Sequence, residues 1–357
     1  MKSFSYPGDV YNAIPPRVVF GAGSSEHVSE ETRRLGASRV LVISTPGRGS
    51  TAEAVARRLG AQCVGVVAEA VSQVPIELAE QARKRATELK ADCLVSVGGG
   101  ASIGLGKAIA LALGIPIIAI PTTYSGSEMT GFCGITIDGV KCMHTNLNML
   151  AHTVIYDPAL TVGLPLDVSA ASAMNALAHC VDAIYVPTVS PIIAGAAALG
   201  AKVIADAILR VVEKPDDLDV RSEMLYGAYL AGAALTGGFA LQHGLAHVLG
   251  GSFGVSHGLS HALILSHVAT YNQKFAPVQV GLIGSSMGQA DVGGAIFELV
   301  NALKLPKSLK EIGFQEKFIK AAAKITVETD NGFNPAPVTE EVVESILRSA
   351  FEGRRPD

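Results

Sequence analysis

Tryptophan is absent from this 357-residue chain and aromatic residues reach only 5%, which by itself excludes little. Other absences say more. There is no basic run and no basic patch interleaved with aromatics, and the formal net charge is −4 with a pI near 6.1. Both facts argue against nucleic acid or an anionic membrane as the main partner. Charged residues are scarce, 17% against 49% hydrophobic, so the chain carries a large core and is not disordered. Cys63, Cys93, Cys133, Cys142 and Cys180 contain no Cys-x-x-Cys pair. This reads as reduced thiols in a reducing compartment, the cytoplasm, with several of them acting as small buried hydrophobes. The stretch MKSFSYPGDVYNAIPP has no apolar leader segment, so no secretory signal is expected. The longest apolar stretch, Pro191 to Leu209, is rich in Ala and Gly but contains Lys202 and Asp206. It is expected to be a core helix and not a membrane span. No internal repeat or low-complexity linker is present.

What is there divides into two halves. Up to about residue 158, short β-branched runs alternate with helical ones. Strands are expected at Arg39 to Ser44, Gln62 to Ala68, Cys93 to Val97 and Pro116 to Ile120. Helices are expected at Thr51 to Leu59, Ile76 to Leu89 and about Ser102 to Leu113. Such alternation implies a parallel sheet covered on both faces. From residue 159 to 357 long Ala- and Leu-rich helical segments dominate, at roughly 168–186, 190–213, 218–236 and 240–250. Pro187, Pro191, Pro215, Gly237-Gly238 and Gly250-Gly251 are expected to break them.

Three polar turns follow strand ends. Gly98-Gly99-Gly100-Ala101-Ser102 opens a helix, where glycines and the helix N-terminus suit a phosphate. Thr45-Pro46-Gly47 follows an earlier strand, and Pro121-Thr122-Thr123-Tyr124-Ser125-Gly126-Ser127 a later one. Ligands of open α/β sheets sit at the carboxyl ends of strands, so these turns converge on one candidate dinucleotide cleft. The glycine spacing is not the G-x-G-x-x-G fingerprint. No carboxylate stands at Ser44-Thr45 to repel a 2′-phosphate, so both NADH and NADPH are expected to be accepted.

Five of the nine histidines, His243, His247, His257, His261 and His267, fall in one stretch. His243 and His247 share a helix face by their spacing, as do Asn175 and His179 upstream. Imidazoles on facing helices converge into either a metal site or a proton-transfer site. His179, His243, His247 and His257 are the functional candidates, with His261 and His267 less decided.

At these motifs the chain resembles the iron-containing (group III) alcohol dehydrogenase family, and within it the maleylacetate reductase branch. The carriers are VFGAG (19–23), VGGGASIGLGKAIA (97–110), IPTTYSGSEMT (120–130), YDPALTVGLP (156–165), NALAHCVDAIY (175–185), LQHGLAHVLGGSFGVSHG (241–258) and NPAPVT (334–339), spread over nearly the whole chain. The resemblance implies a Rossmann-like α/β domain followed by an all-α domain, the dehydroquinate synthase-like architecture, with the active site in the cleft between. It implies Thr45, Pro46, Gly98, Gly99, Ala101, Ser102, Thr122, Thr123 and Ser127 toward the nicotinamide cofactor. The family's Asp and three His metal ligands match Asn175, His179, His243 and His257, and its further active-site histidine matches His247. Asn offers a neutral oxygen where the family has an anionic one, which weakens a divalent cation's hold. The family's usual Asp at the glycine-rich helix is Gly104 here. A metal-free site is therefore expected. The implied reaction is NAD(P)H-dependent reduction of the C=C bond of maleylacetate, with His243 and His247 as first donors to the enolate oxygen and His179 and His257 holding the substrate. Its substrate is a dianion, for which Lys141 is a candidate cation. A metal-dependent alcohol or polyol dehydrogenase acting on C=O is the alternative. Family members commonly form dimers, so a homodimer is expected.

Overall fold

The computed structural model describes Tyr11 and residues 15–357. Most of the stretch read above for a leader lies outside the described residues. Two compact units are distinguished. One runs to Leu164 and includes Asp216–Leu225; the other comprises Pro165–Pro215 and Tyr226–Asp357. The break lies just beyond the Asp157-Pro158 boundary expected from sequence. Asp216–Leu225, expected with the helical half, counts with the first unit. A physical reason is visible there: fully buried Arg221 donates from Nη1 to the buried Tyr124 hydroxyl at 3.0 Å.

The first unit is built on eight strands, β1 (Arg17–Phe20), β2 (Val40–Ile43), β3 (Cys63–Val67), β4 (Cys93–Gly98), β5 (Ile117–Pro121), β6 (Phe132–Ile137), β7 (Val140–Thr145) and β8 (Thr153–Tyr156). Four helices accompany them, α1 (Val28–Arg34), α2 (Gly49–Leu59), α3 (Ile76–Glu88) and α4 (Gly100–Leu113). Six strands form a parallel sheet in the order β1-β8-β5-β4-β2-β3. β2, β4, β5 and β8 are buried along their whole length, as a sheet covered on both faces requires. Val40, Val42, Val95, Val97, Ile118, Ile120 and Ile155 form one side of that core. From β2 the chain steps outward to β3, then returns to β4 and continues the other way. The order thus reverses between β2 and β4, the place where open α/β sheets bind ligands.

The sequence reading missed β1 and β8, each four residues long, and the hairpin β6–β7, the one antiparallel pair among the described residues. The hairpin turns on Asp138-Gly139, both at positive φ (50° and 77°), as a two-residue hairpin loop demands.

The second unit is helical: α5 (Leu166–Ala183), α6 (Pro191–Glu213), α7 (Leu218–Leu235, whose first part counts with the other unit), α8 (Leu241–Phe253), α9 (His257–Gln273), α10 (Pro277–Met287), α11 (Val292–Ala302), α12 (Ile319–Glu328) and α13 (Glu340–Glu352). Pro191 occupies the first turn of α6, where its missing N–H costs nothing, and the Ser190 side chain caps that helix. Gly250-Gly251 does not break α8 as expected. The helix runs through both glycines and ends at Gly254 in the left-handed conformation. Packing overrides intrinsic propensity here, because Leu245, Ala246, Val248 and Leu249 are locked into the core with Leu263, Ile264 and Val268 of α9. α6 is long and apolar enough to cross a membrane, but it packs along α5 and α10.

Candidate active site

The α/β unit places the three polar turns at the carboxyl ends of the adjacent strands β2, β4 and β5. Thr45-Pro46 lies at the end of β2, on one side of the switch point. On the other side Gly98 adopts φ 141°, and a Cβ there would collide with the Ser102 Oγ. A Cβ on Gly99 would press on Thr123 at 3.0 Å. The turn is therefore packed to the limit of glycine, and α4 starts directly from it with no acidic residue in its first turn. Ala101 sits in that first turn. The hydroxyls of Ser102 and Thr122 are buried and have no hydrogen-bond partner in the protein. Orphaned hydroxyls beside free helix N–H groups fit an anionic group of a dinucleotide.

The β5 turn is held from beneath by a residue not singled out in the sequence, Lys107 on α4. Its wholly buried ammonium donates to the Ser127 carbonyl at 2.5 Å, the Thr130 hydroxyl at 2.9 Å, the Phe132 carbonyl at 2.9 Å and the Ser127 hydroxyl at 3.3 Å. Burial pushes its pKa down to about 8. Glu128, on the same turn, accepts from Tyr156 Oη at 2.8 Å and Ser125 Oγ at 3.2 Å, and burial raises its pKa. Lys141, the candidate cation, lies elsewhere, on β7, with its stem across Gly134 of β6. Its half-buried position lowers its pKa through desolvation.

In the helical unit the histidines do gather. Asn175 and His179 lie buried on α5, and His243 lies buried on α8. His247 is half-buried and His257 exposed at the start of α9. His179 and His243 stack, with His179 Nδ1 2.7 Å from His243 Nε2. His247 and His257 stack at 5.9 Å, and the Phe239 ring lies 5.5 Å from both His243 and His247. His267, by contrast, does not make a ring contact with this group; burial pushes its pKa down to about 4.

The residue that organises the group was not picked out from sequence. Asp182 is fully buried on α5, one turn after His179 and seven residues after Asn175 on the same face. Its Oδ2 accepts from His243 Nδ1 at 2.8 Å, from the Ala240 N–H at 2.7 Å and from the His243 N–H at 3.3 Å, while Oδ1 accepts from Tyr185 Oη at 2.8 Å. Burial, and then the neighbouring carboxylate, raise the Tyr185 pKa well above its ordinary value. The carboxylate requires the proton of neutral His243 to sit on Nδ1, so Nε2 presents a lone pair and His179 Nδ1–H donates to it. One line of groups, Asp182–His243–His179, thus fixes two tautomers. The signal was available: an acid at the i+3 position of His179 on a helix face already carrying Asn175.

Two family models cover nearly all of the described chain. Residues 15–158 match the iron-containing alcohol dehydrogenase model and residues 169–351 match the C-terminal model of the Fe-containing alcohol dehydrogenase family. The chain belongs to the iron-containing alcohol dehydrogenase family. Among curated relatives it is 42% identical to the maleylacetate reductase of Burkholderia cepacia over 97% of this chain and 99% of that protein. The solved maleylacetate reductase of Rhizobium sp. strain MTP-10005 superposes with a TM-score of 0.92 at 39% identity, over the full length of both chains. That of Agrobacterium tumefaciens gives 0.91 at 40% identity, again over both full lengths. The sheet-plus-helical-unit architecture expected from sequence is that of this family.

The iron-containing alcohol dehydrogenase family implies an iron ion, and the donor set here fits one poorly. Two imidazole nitrogens on one tetrahedral ion at ~2.1 Å stand roughly 3.4 Å apart. His179 Nδ1 and His243 Nε2 are 2.7 Å apart and hydrogen-bonded, and the other nitrogen of His243 is engaged by Asp182. Asn175 adds no charge. Among the described residues no three His, Cys, Asp or Glu side chains converge in metal-binding geometry.

Proposed function

We propose that this protein reduces the C=C bond of maleylacetate with NADH or NADPH, giving 3-oxoadipate in the degradation of aromatic compounds, and that it does so without a metal. The observation that carries the reading is the hydrogen-bonded line Asp182–His243–His179 beside Asn175, in a chain 42% identical to a curated maleylacetate reductase over 97% of its length.

When bound, the reduced nicotinamide would supply a hydride whose electron pair forms the new C–H bond at the carbon β to the ketone, while the π pair of the C=C bond shifts toward the ketone oxygen. The resulting enolate needs a hydrogen-bond donor, and its α carbon needs a proton. His247 and His257 carry the imidazoles open to solvent and meet the substrate first. His243 and His179 lie deeper, with their N–H groups committed to Asp182 and to His243, so the enolate oxygen takes its hydrogen bond from His247 or His257, and the deeper line holds the floor of the site rigid instead of His243 acting as a first donor. Asn175 supplies a neutral amide for a carboxylate or the ketone oxygen. Cofactor phosphates are received at Gly98, Gly99, Ala101 and Ser102, with Thr45, Pro46, Thr122, Thr123 and Ser127 on the neighbouring strand ends; Lys141, on β7, is kept as a cation for the dianionic substrate. No carboxylate at the end of β2 discriminates against NADPH. The protein is cytoplasmic and acts as a homodimer on a small dicarboxylate, without nucleic acid or membrane as partner.

The test is NADH oxidation with maleylacetate, measured before and after exhaustive chelation. Turnover that survives with sub-stoichiometric iron and zinc is the expected result. Turnover lost on chelation and restored by iron or zinc would return the site to metal-dependent chemistry, and activity with simple alcohols alone would move the reaction to the carbonyl group.

A further inference from the structure

His261 lies one turn beyond His257 on α9 and is completely buried. It is the most enclosed imidazole of the cluster. Its ring centroid stands 4.6 Å from His243, 4.7 Å from His257 and 6.2 Å from His179, edge-on in each case. On its other side stands Gln242, also fully buried, whose Nε2 is 3.2 Å from His261 Nδ1 and 3.4 Å from the His261 backbone carbonyl. A carbonyl oxygen only accepts, so the amide nitrogen, not the amide oxygen, faces it. The same nitrogen then donates to Nδ1. His261 therefore carries its proton on Nε2. That N–H has no hydrogen-bond partner in the protein, and neither has the Gln242 Oε1. A buried donor left unmade is destabilising, so a fold that keeps both is retaining them for something other than stability.

We propose that Gln242 and His261 form a positioning pair beneath the histidine cluster: Gln242 locks His261 as the Nε2–H tautomer, and this rigid imidazole sets the ring orientations of His243 and His257 that the substrate meets. The proposal rests on the functional reading above. It assigns His261 no contact with the substrate. Removal of the partner that orients a metal-bound histidine lowers activity about 10- to 100-fold, and the lower end of that range is expected for this ring.

The tautomer is read directly from nitrogen-15 spectra of histidine-labelled full-length protein, with the His261 signals identified by their loss in His261→Gln. The expected pattern is a neutral ring protonated at Nε2; a ring protonated at Nδ1 overturns the proposal. Gln242→Glu replaces the donor by an acceptor and should shift the proton to Nδ1 while lowering kcat at least tenfold. NADH affinity by fluorescence titration should stay within twofold. His261→Phe keeps the ring but no N–H and should lose kcat similarly, whereas His261→Gln, which retains a side-chain N–H, should recover most of it. Wild-type kcat in both Gln242→Glu and His261→Phe refutes the pair. If a variant does not fold, the wild-type spectrum and His261→Gln still decide. Absence of maleylacetate turnover in the wild type would instead refute the functional reading and leave the tautomer result standing.

Discussion

Replacing Asp182 by Asn tests the site most directly, because the structure predicts which bonds survive. Three donors, the Ala240 N–H, the His243 N–H and His243 Nδ1–H, converge on Oδ2, and only Tyr185 Oη meets Oδ1. In Asp182→Asn the amide oxygen can occupy the Oδ2 position and keep all three. The NH2 then faces Tyr185, whose hydroxyl rotates to accept. The geometry survives and the charge goes. Hydrogen bonds to a charged group are worth about 1.5–3 kcal/mol and neutral ones about 0.5–1.5, so the bond that holds the His243 ring and its tautomer weakens by roughly 1.5 kcal/mol. That converts to about tenfold in kcat. Asp182→Ala leaves four buried donors unmet, the three on Oδ2 and the Tyr185 hydroxyl, at about 1–3 kcal/mol each, and should cost at least ~3 kcal/mol of stability. Steady-state kinetics and thermal melts of both variants separate the effects. Wild-type kcat in Asp182→Asn, or an unchanged melting temperature in Asp182→Ala, would refute the role given to this carboxylate.

Other outcomes follow from the same structure. Burial pushes the His267 pKa down to about 4 from an ordinary value of 6.5. Between those two pH values the unfolded chain binds a proton that the folded one refuses, so stability falls as pH drops through this window, by about 3 kcal/mol in all. Urea melts of wild type and His267→Gln from pH 7 to 4 should show that slope shrinking in the variant; equal slopes would exclude His267 as its source. Gly98→Ala places a methyl against Ser102 at φ 141°. Local strain of about 1–3 kcal/mol should weaken NADH binding at least fivefold, and an unchanged dissociation constant would remove this turn from the cofactor site. Asn175→Asp restores an anionic oxygen beside His179, and plasma emission analysis should find more bound iron or zinc than in wild type. If metal content does not rise, the amide is not what disfavours the ion.

The sheet's inner strands could be read from the sequence because β2, β4 and β5 are continuous apolar runs ending in turn residues. β1 and β8 could not. Each has four residues, too few to show a period, and they pair with one another from positions 17–20 and 153–156. The histidine cluster showed itself by number and spacing. Asp182 carried only its spacing from His179 as a signal, and its meaning depends on α8 bringing His243 to 2.8 Å. Lys107 was hidden in the same way: its four acceptors come from Ser127 to Phe132, a turn whose path the sequence does not specify. Gly250-Gly251 misled in the other direction, since a local helix breaker yields when its neighbours are held by the core.

Gly104 has a consequence for how such a chain can change. A Cβ there would lie 2.7 Å from the Cγ2 of Val74, and Val74 itself sits at φ 45°, a conformation that branched side chains rarely adopt. The Thr136 N–H and hydroxyl hold the Val74 and Gln73 carbonyls at 3.0 and 2.8 Å, so this loop cannot simply step aside. An acidic side chain therefore cannot be placed at 104 by a single substitution without displacing Val74. Positions 74 and 104 are sterically coupled, so a side chain engineered at 104 calls for a smaller residue at 74 as well.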